Sequence, residues 1–297
     1  MSEQPHSNRT KIGEALHEGI ARLRAAAIAD ARPDARLLLS HTLMRDHAYL
    51  VAHSEEEIEP PALALFRALL ARRAAGEPVQ YITGRQEFYG LDFEVNSAVL
   101  IPRPETELLV ETALELLRET SAPLLCDVGT GSGCIPVTLL HERRDARAFG
   151  LDISTDALAV AARNAARHAV SERLALRVSD CFAALDAPHA SFTLITSNPP
   201  YIPARDIPQL QREVRDHEPR IALTPPGDED GDGLSIIRRL IGEAAPYLIP
   251  GGHLLLEIGH DQHEAVARLV APAVWTLLDT RRDLQGIPRT VVLRRRA

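Results

Sequence analysis

The tetrapeptide Asn198-Pro199-Pro200-Tyr201 combines residue types suited to holding a planar NH2 group. Asn198 offers a side-chain carbonyl as acceptor. Pro199 offers a backbone carbonyl that is locally rigid, because it and Pro200 both have fixed φ. Tyr201 adds a flat aromatic face. Two acceptors beside a ring match a group that carries two donors. The same residues also describe a strand followed by a Pro-Pro turn, and the tetrapeptide alone does not separate the two readings. The apolar run Phe192-Thr193-Leu194-Ile195 precedes it and reads as a buried strand. Asn198 is therefore expected at a strand's carboxyl end, where open α/β sheets place their ligands.

A second stretch with chemical potential is Asp127-Val128-Gly129-Thr130-Gly131-Ser132-Gly133. Alternating glycines let a backbone turn sharply and approach a ligand closely. Their G-x-G-x-G spacing differs from the G-x-G-x-x-G of dinucleotide sites. Asp152 closes the next strand, placed to accept from both hydroxyls of a ribose, and Asp180 closes the one after, placed to accept from an adenine amino group. Each acid alone is more often a helix cap or a loop residue. At successive strand ends, together with Gly129, Thr130, Gly131, Ser132 and Gly133, they predict a nucleoside site.

These residues need a sheet to hold them. Strands are expected at 124–128, 146–151, 174–178, 192–196, 253–258, 275–278 and 290–293, with helices at 134–142, 154–168, 234–248 and 261–270 and a Pro-Gly-Gly turn at 250–252. Such alternation implies an α/β fold with a mainly parallel sheet and helices on both faces. The last two strands lack a long helix between them and should pair antiparallel. Upstream, Ile12, Leu16, Ile20, Leu23 and Ala27 recur at helical spacing. Pro33 and Asp34 suit the start of a second helix, 46–53 forms a short one, Pro61 starts another, and Gly76 stops it. Between 77 and 99 the β-formers Tyr81, Phe88, Tyr89, Phe93 and Val95, with Gly84 and Gly90, predict a short hairpin. The prolines of 101–104 exclude regular structure, and a helix follows to about 118. The expected domains are an all-α bundle at 1–78, a β-hairpin linker at 79–103 and the sheet domain at 104–297.

The chain has 297 residues and a net charge of -8, which suits about two domains and argues mildly against wrapping nucleic acid. No run of about 18 apolar residues predicts a membrane span, and residues 1–11 lack the apolar core of a signal peptide. Cys126, Cys134 and Cys181 form no CxxC pair and no even set, so a reducing cytoplasm is the expected setting. No metal is expected. Asp228, Asp230, Asp232 and Gly233 mimic the start of an EF-hand, but its twelfth position is Arg239. His260 and His263 have no third ligand, and Arg294 to Arg296 read as a solvated end.

Taken together, the glycine loop, the two acids and Asn198-Pro199-Pro200-Tyr201 resemble a class I S-adenosylmethionine-dependent methyltransferase acting on a planar nitrogen. Further segments narrow the resemblance: Glu77-Pro78-Val79-Gln80-Tyr81-Ile82-Thr83-Gly84, Phe88-Tyr89-Gly90-Leu91, Ile101 to Glu107, Asp232-Gly233-Leu234, Glu257-Ile258-Gly259, and Asp283-Leu284 with Gly286 and Arg289. Spread from about 77 to 289, they are similar to the family that methylates the glutamine of the Gly-Gly-Gln motif in peptide chain release factors. The resemblance implies a seven-stranded Rossmann-like methyltransferase sheet, a hairpin linker and a helical substrate-docking domain. It also implies S-adenosylmethionine as methyl donor, S-adenosylhomocysteine as product, a release factor as partner, and a monomer. Asn198, Pro199, Pro200 and Tyr201 would hold the substrate amide, with Asn198 also facing the cofactor. The 102–107 segment either covers the cofactor or only sets the domain junction.

One departure falls at Cys181, where this family often has tryptophan near the adenine; either Phe182 compensates or the base is held more loosely. Nothing cationic flanks Cys181 in the sequence to make it reactive. Three other readings compete: amino-methylation of DNA or RNA bases, glutamine methylation of a ribosomal protein, and a non-catalytic protein that keeps the fold. The acidic balance and the lack of a basic target-recognition region weigh against nucleic acid, the 103–107 segment favours release factors over ribosomal proteins, and the intact acids, glycines and Asn198 weigh against the last.

Overall fold

The computed structural model describes residues 10–185, 191–228 and 231–297. The chain divides into two compact units. The first holds the described residues up to Gly84 together with Arg212–His217; the second holds Arg85–Gln211 and Glu218–Ala297.

The first unit is built on α1 (Ile12–Ala25), α2 (Ala31–Leu43), α3 (His47–Ala52), α4 (Pro60–Ala74) and α5 (Val79–Thr83). Leu23, Leu38, Leu39, Phe66 and Leu70 are fully buried in its core. Asp46 caps α3 by accepting from the Tyr49 backbone at 2.8 Å, and a proline opens α4, where no amide hydrogen is missed. Asp34 has a second role that its sequence position hides. It is buried and accepts from Arg73 at 2.6 Å, and Arg73 also pairs at 2.7 Å with Glu213 of the distant Arg212–His217 segment. Tyr81, expected in a strand, lies in α5: Pro78 sets the helix entry and Gly84 ends it in the left-handed region.

The second unit opens with a hairpin, β1 (Arg85–Phe88) and β2 (Leu91–Glu94). Phe88 and Phe93 meet edge to face at 6.1 Å and join the core beneath the main sheet. After a single 3-10 turn at Pro104–Thr106 the elements are α6 (Glu107–Leu116), β3 (Leu124–Val128), α7 (Cys134–Glu142), β4 (Arg147–Asp152), α8 (Thr155–Arg167), β5 (Leu174–Val178) and β6 (Phe192–Ser197). Three short helical pieces follow: a 3-10 turn at Ala204–Gln209, α9 (Arg212–His217, of the first unit) and α10 (Arg220–Leu223). The unit ends with α11 (Ser235–Glu243), β7 (Leu248–Glu257), α12 (His263–Leu269), β8 (Trp275–Arg282) and β9 (Pro288–Arg295).

The main sheet has seven strands in the order β5-β4-β3-β6-β7-β9-β8, parallel through β7 with β9 antiparallel to both its neighbours. Period-two alternation sends neighbouring residues to opposite cores. Leu125, Leu194 and Leu255 face the core shared with α6, α7 and α8, while Cys126, Ile195, Leu254 and Leu256 face the one shared with α11 and α12. The chain builds outward from β3 to β5, then returns to start β6 on the other side of β3. This reversal opens a crevice at the carboxyl ends of β3 and β6. The glycine loop and Asn198 both leave the sheet there.

Candidate methyl-transfer site

Asp127, at the end of β3, joins the two functional loops. One carboxylate oxygen accepts from Thr130 of the glycine loop and the other from Thr196 of β6, each at 2.7 Å. Burial pushes its pKa up to about 7, against the pull of the two hydroxyls. Ser197 adds a bond to the Val128 carbonyl at 2.6 Å. The exit of β6 is thus stitched to the exit of β3 directly before Asn198.

In the loop itself, Gly129, Gly131 and Gly133 all have positive φ. Thr130 and Ser132 are buried. The Ser132 carbonyl accepts from Asn164 of α8, whose amide also bridges to the backbone of Glu94 in β2. Asp152 accepts from the backbone of Gly131 at 2.8 Å and of Ser154 at 2.9 Å, one bond per oxygen, so each oxygen keeps an acceptor site. Burial raises its pKa.

A cleft with about 1110 Å³ of empty space, open solvent included, lies over these loops. Gly129, Thr130, Gly131, Ser132, Asp152, Asp180, Cys181, Asn198, Pro199 and Pro200 line it. Gly133 and Tyr201 are not part of that lining. A Cβ on Gly133 would press to 3.1 Å from that of Ala161, so this glycine serves helix packing. Asp180 is exposed and carries a partner unseen in sequence, Arg239 of α11 at 2.8 Å. The fold thereby brings a cation near Cys181 after all, yet burial prevails and lifts the thiol to about 11. Phe182 does not take the place of the missing indole: it is fully buried and stacks on Tyr247 at 4.9 Å, inside the core. Apolar side chains on the cleft wall include Ile153, Ala157 and Ile236.

Pro102, Arg103 and Thr106 form another part of the wall. The buried carboxylate of Glu218 holds this arm, accepting from the Arg103 guanidinium and from the Ile101 backbone at 3.2 Å. The Asn198 amide donates to the Thr106 hydroxyl at 3.1 Å, and that hydroxyl donates to Glu257 at 2.7 Å. The other Glu257 oxygen accepts from the Tyr201 hydroxyl at 3.3 Å. Burial pushes Glu257 up to about 7 and drives the Tyr201 phenol well above its ordinary value. The Tyr201 carbonyl accepts from Gln262 at 2.9 Å, and Gln262 also receives the Gly259 amide at 2.9 Å. Sequence reasoning passed over Glu218 and Gln262 and saw Glu257 only as part of a matching segment.

The EF-hand resemblance has a structural account. Asp228 folds back to accept from the Gly233 amide at 2.7 Å, and Asp232 pairs with Arg238; Asp230 lies outside the described residues. Among the described residues no group of three metal-ligating side chains converges.

A family model described as "PrmC N-terminal domain" matches residues 14–84, and one described as "Methyltransferase small domain" matches 104–213. The chain is 46% identical over 284 residues to the release factor glutamine methyltransferase of Cereibacter sphaeroides, covering 96% of this chain and 98% of that one. It is 45% identical over 282 residues to that of Nitratidesulfovibrio vulgaris, covering 94% of each.

The chain belongs to the release factor glutamine methyltransferases.

Its fold also matches the crystal structure of a methyltransferase from Pyrococcus furiosus, with a TM-score of 0.50 at 14% identity over 76% of this chain and 98% of that one. The methyl donor of this methyltransferase is S-adenosylmethionine, and the cleft suits it. The glycine loop allows close backbone approach, the Asp152 oxygens each keep an acceptor site, and Ile153, Ala157 and Ile236 add apolar side chains to the wall. Asp152→Ala is expected to weaken S-adenosylmethionine binding roughly 10- to 100-fold, the worth of hydrogen bonds to a charged group. Calorimetric titration of the variant measures this, and wild-type affinity would show that the ribose is held elsewhere.

Proposed function

We propose that the chain methylates the side-chain amide nitrogen (N5) of the glutamine in the Gly-Gly-Gln motif of peptide chain release factors, at the cleft beside Asn198. The observation that carries this reading is how Asn198 is held. Its NH2 is engaged by Thr106, which leaves its carbonyl oxygen as an acceptor beside the cofactor loop.

An amide nitrogen is a weak nucleophile, because its lone pair is delocalised into the carbonyl. Bound S-adenosylmethionine supplies an electrophilic methyl on sulfonium. In this reading Asn198 Oδ1 and the Pro199 carbonyl accept the two N–H bonds of the substrate amide. They aim the nitrogen and favour the positive charge that develops on it. Pro200 keeps the Pro199 carbonyl rigid, and Tyr201 backs the flat amide. Loss of a proton follows transfer, so no strong base has to approach the nitrogen. Gly129, Thr130, Gly131, Ser132, Asp152 and Asp180 hold the donor, with Cys181 at the base and Gly133 supporting the loop from behind.

The helices α1 to α4 serve as the docking part for the protein substrate, and the enzyme works as a monomer. Cys126, Cys134 and Cys181 are all free, which suits a reducing cytoplasm; no helix among the described residues is long and apolar enough to cross a membrane.

Separate incubations with labelled S-adenosylmethionine and a release factor, a ribosomal protein or DNA distinguish the readings. Label is expected on the release factor, at the glutamine of Gly-Gly-Gln. Label on DNA alone overturns the proposal.

A further inference from the structure

The reaction needs Asn198 to present its oxygen, not its NH2, to the substrate. An asparagine amide is nearly symmetric in shape, so packing alone hardly distinguishes the two orientations. Only hydrogen-bond polarity does.

We propose that Thr106 and Glu257 are positioning residues that fix this polarity, so that the ionised Glu257 carboxylate keeps the Asn198 oxygen turned toward the substrate amide. The inference rests on the reading that Asn198 Oδ1 accepts from the substrate.

The argument follows from counting protons. A threonine hydroxyl has one proton. Thr106 lies 2.7 Å from Glu257 Oε2, and a carboxylate can only accept, so the proton goes there. Toward Asn198, at 3.1 Å, Thr106 then has only lone pairs. It must meet the NH2 side of the amide, and the oxygen turns the other way. Thr106 and Glu257 are buried, so solvent does not supply an alternative partner. The second Glu257 oxygen takes the Tyr201 hydroxyl at 3.3 Å, which ties the same carboxylate to the end of the Asn-Pro-Pro-Tyr segment.

Protonation reverses the chain. A neutral Glu257 can donate to Thr106; Thr106 then donates to Asn198, and the amide turns its NH2 toward the substrate. The NH2 of Asn198 would then face the substrate N–H that its oxygen should accept, donor against donor, and only the Pro199 carbonyl would still accept. Burial holds Glu257 up at about 7, so the reversal falls in the range where activity is measured. The charged or titratable groups that face Glu257 are Arg289 of β9, which favours the anion, Glu105 of the same turn as Thr106, which disfavours it, Tyr201, and Cys134 at the start of α7. The active form is the anion, so turnover should rise with pH through about 7.

The test compares Thr106→Val, Thr106→Ser, Glu257→Gln and Asn198→Ala. With a release factor as substrate, T106V is expected to lose at least roughly tenfold in kcat, to keep KM for the release factor within about threefold, and to bind S-adenosylmethionine with unchanged affinity by calorimetry. T106S, which restores the hydroxyl, should return kcat to within about threefold of wild type. Wild-type kcat should show an ascending limb near pH 7 that is absent in E257Q, whose side chain has no proton to lose. Asp127 also sits at about 7, and a limb that persists unchanged in E257Q would assign it there and overturn the role of Glu257. T106V at wild-type kcat, with N198A inactive, overturns the positioning role while leaving the Asn198 reading intact. N198A at wild-type kcat removes the reading itself.

Discussion

Replacing Asn198 by alanine should lower kcat for methylation of a release factor by roughly 10²- to 10³-fold, the usual cost of deleting one preorganised group that stabilises transition-state charge. The substituted side chain reaches the site from the end of β6, and its backbone is independently fixed. Thr196 is bonded to Asp127 and Ser197 to the Val128 carbonyl, so truncation beyond Cβ leaves the strand exit in place. The affinity for S-adenosylmethionine should therefore stay within about threefold, because the glycine loop and Asp152 do not depend on the Asn198 amide. Single-turnover kinetics with labelled donor, beside a calorimetric titration, separates the two quantities. A variant that turns over near the wild-type rate would show that the amide is held by other groups. One that loses cofactor binding in proportion to rate would move Asn198 from the reacting nitrogen to the donor.

The second large effect is expected at Gly233, which does not line the cleft but packs against the Asn-Pro-Pro-Tyr segment. Its φ is +76°, and a Cβ there would lie 2.1 Å from the Tyr201 carbonyl oxygen. An alanine is penalised twice: about 1–2 kcal/mol for the left-handed backbone, and a collision that only movement of backbone can relieve. That carbonyl is also the acceptor for Gln262, so it has little room to yield without breaking the bond. Gly233→Ala should thus displace the Asn-Pro-Pro-Tyr segment. A shift of about 1 Å at a reacting group costs on the order of 10²-fold in rate. kcat should fall by about that amount, with S-adenosylmethionine binding preserved and the melting temperature reduced. Wild-type turnover in G233A would mean that the segment tolerates displacement and is not finely positioned.

The sheet could be read from the chain because its strands are short apolar runs separated by amphipathic helices. The α7 bounds and the antiparallel β8–β9 pair were legible for the same reason. Strand β7 starts earlier than its hydrophobicity suggests, at Leu248. Pro250-Gly251-Gly252 looks like a turn, but the structure absorbs it as an irregularity in pairing with β6, where the register shifts between Phe192 and Leu194. The short helical pieces between Ala204 and Leu223 have too few turns for a helical period to emerge.

The site divides along similar lines. Residues that act through loop geometry, such as the glycines and Asp152, announce themselves by local spacing. Thr106 and Glu257 are 151 positions apart and meet only because α6 and β7 share a core. No local pattern encodes such a pair. Cys181 marks the limit from the other side: its neighbour Phe182 looked available to the base in sequence, but strand-end geometry sends it into the interior against Tyr247.

The first unit is discontinuous along the chain, and this bears on how the protein is made. Helices α1 to α4 leave the ribosome early, and domains usually fold as they emerge. Arg73 is buried in this unit, and one of its two carboxylate partners, Glu213, belongs to a segment synthesised much later. Until then only Asp34 neutralises it. The nascent bundle then holds a balanced Arg73–Asp34 pair, and the guanidinium group that meets Glu213 in the finished unit lacks that acceptor until β3, β4, β5 and β6 have been translated.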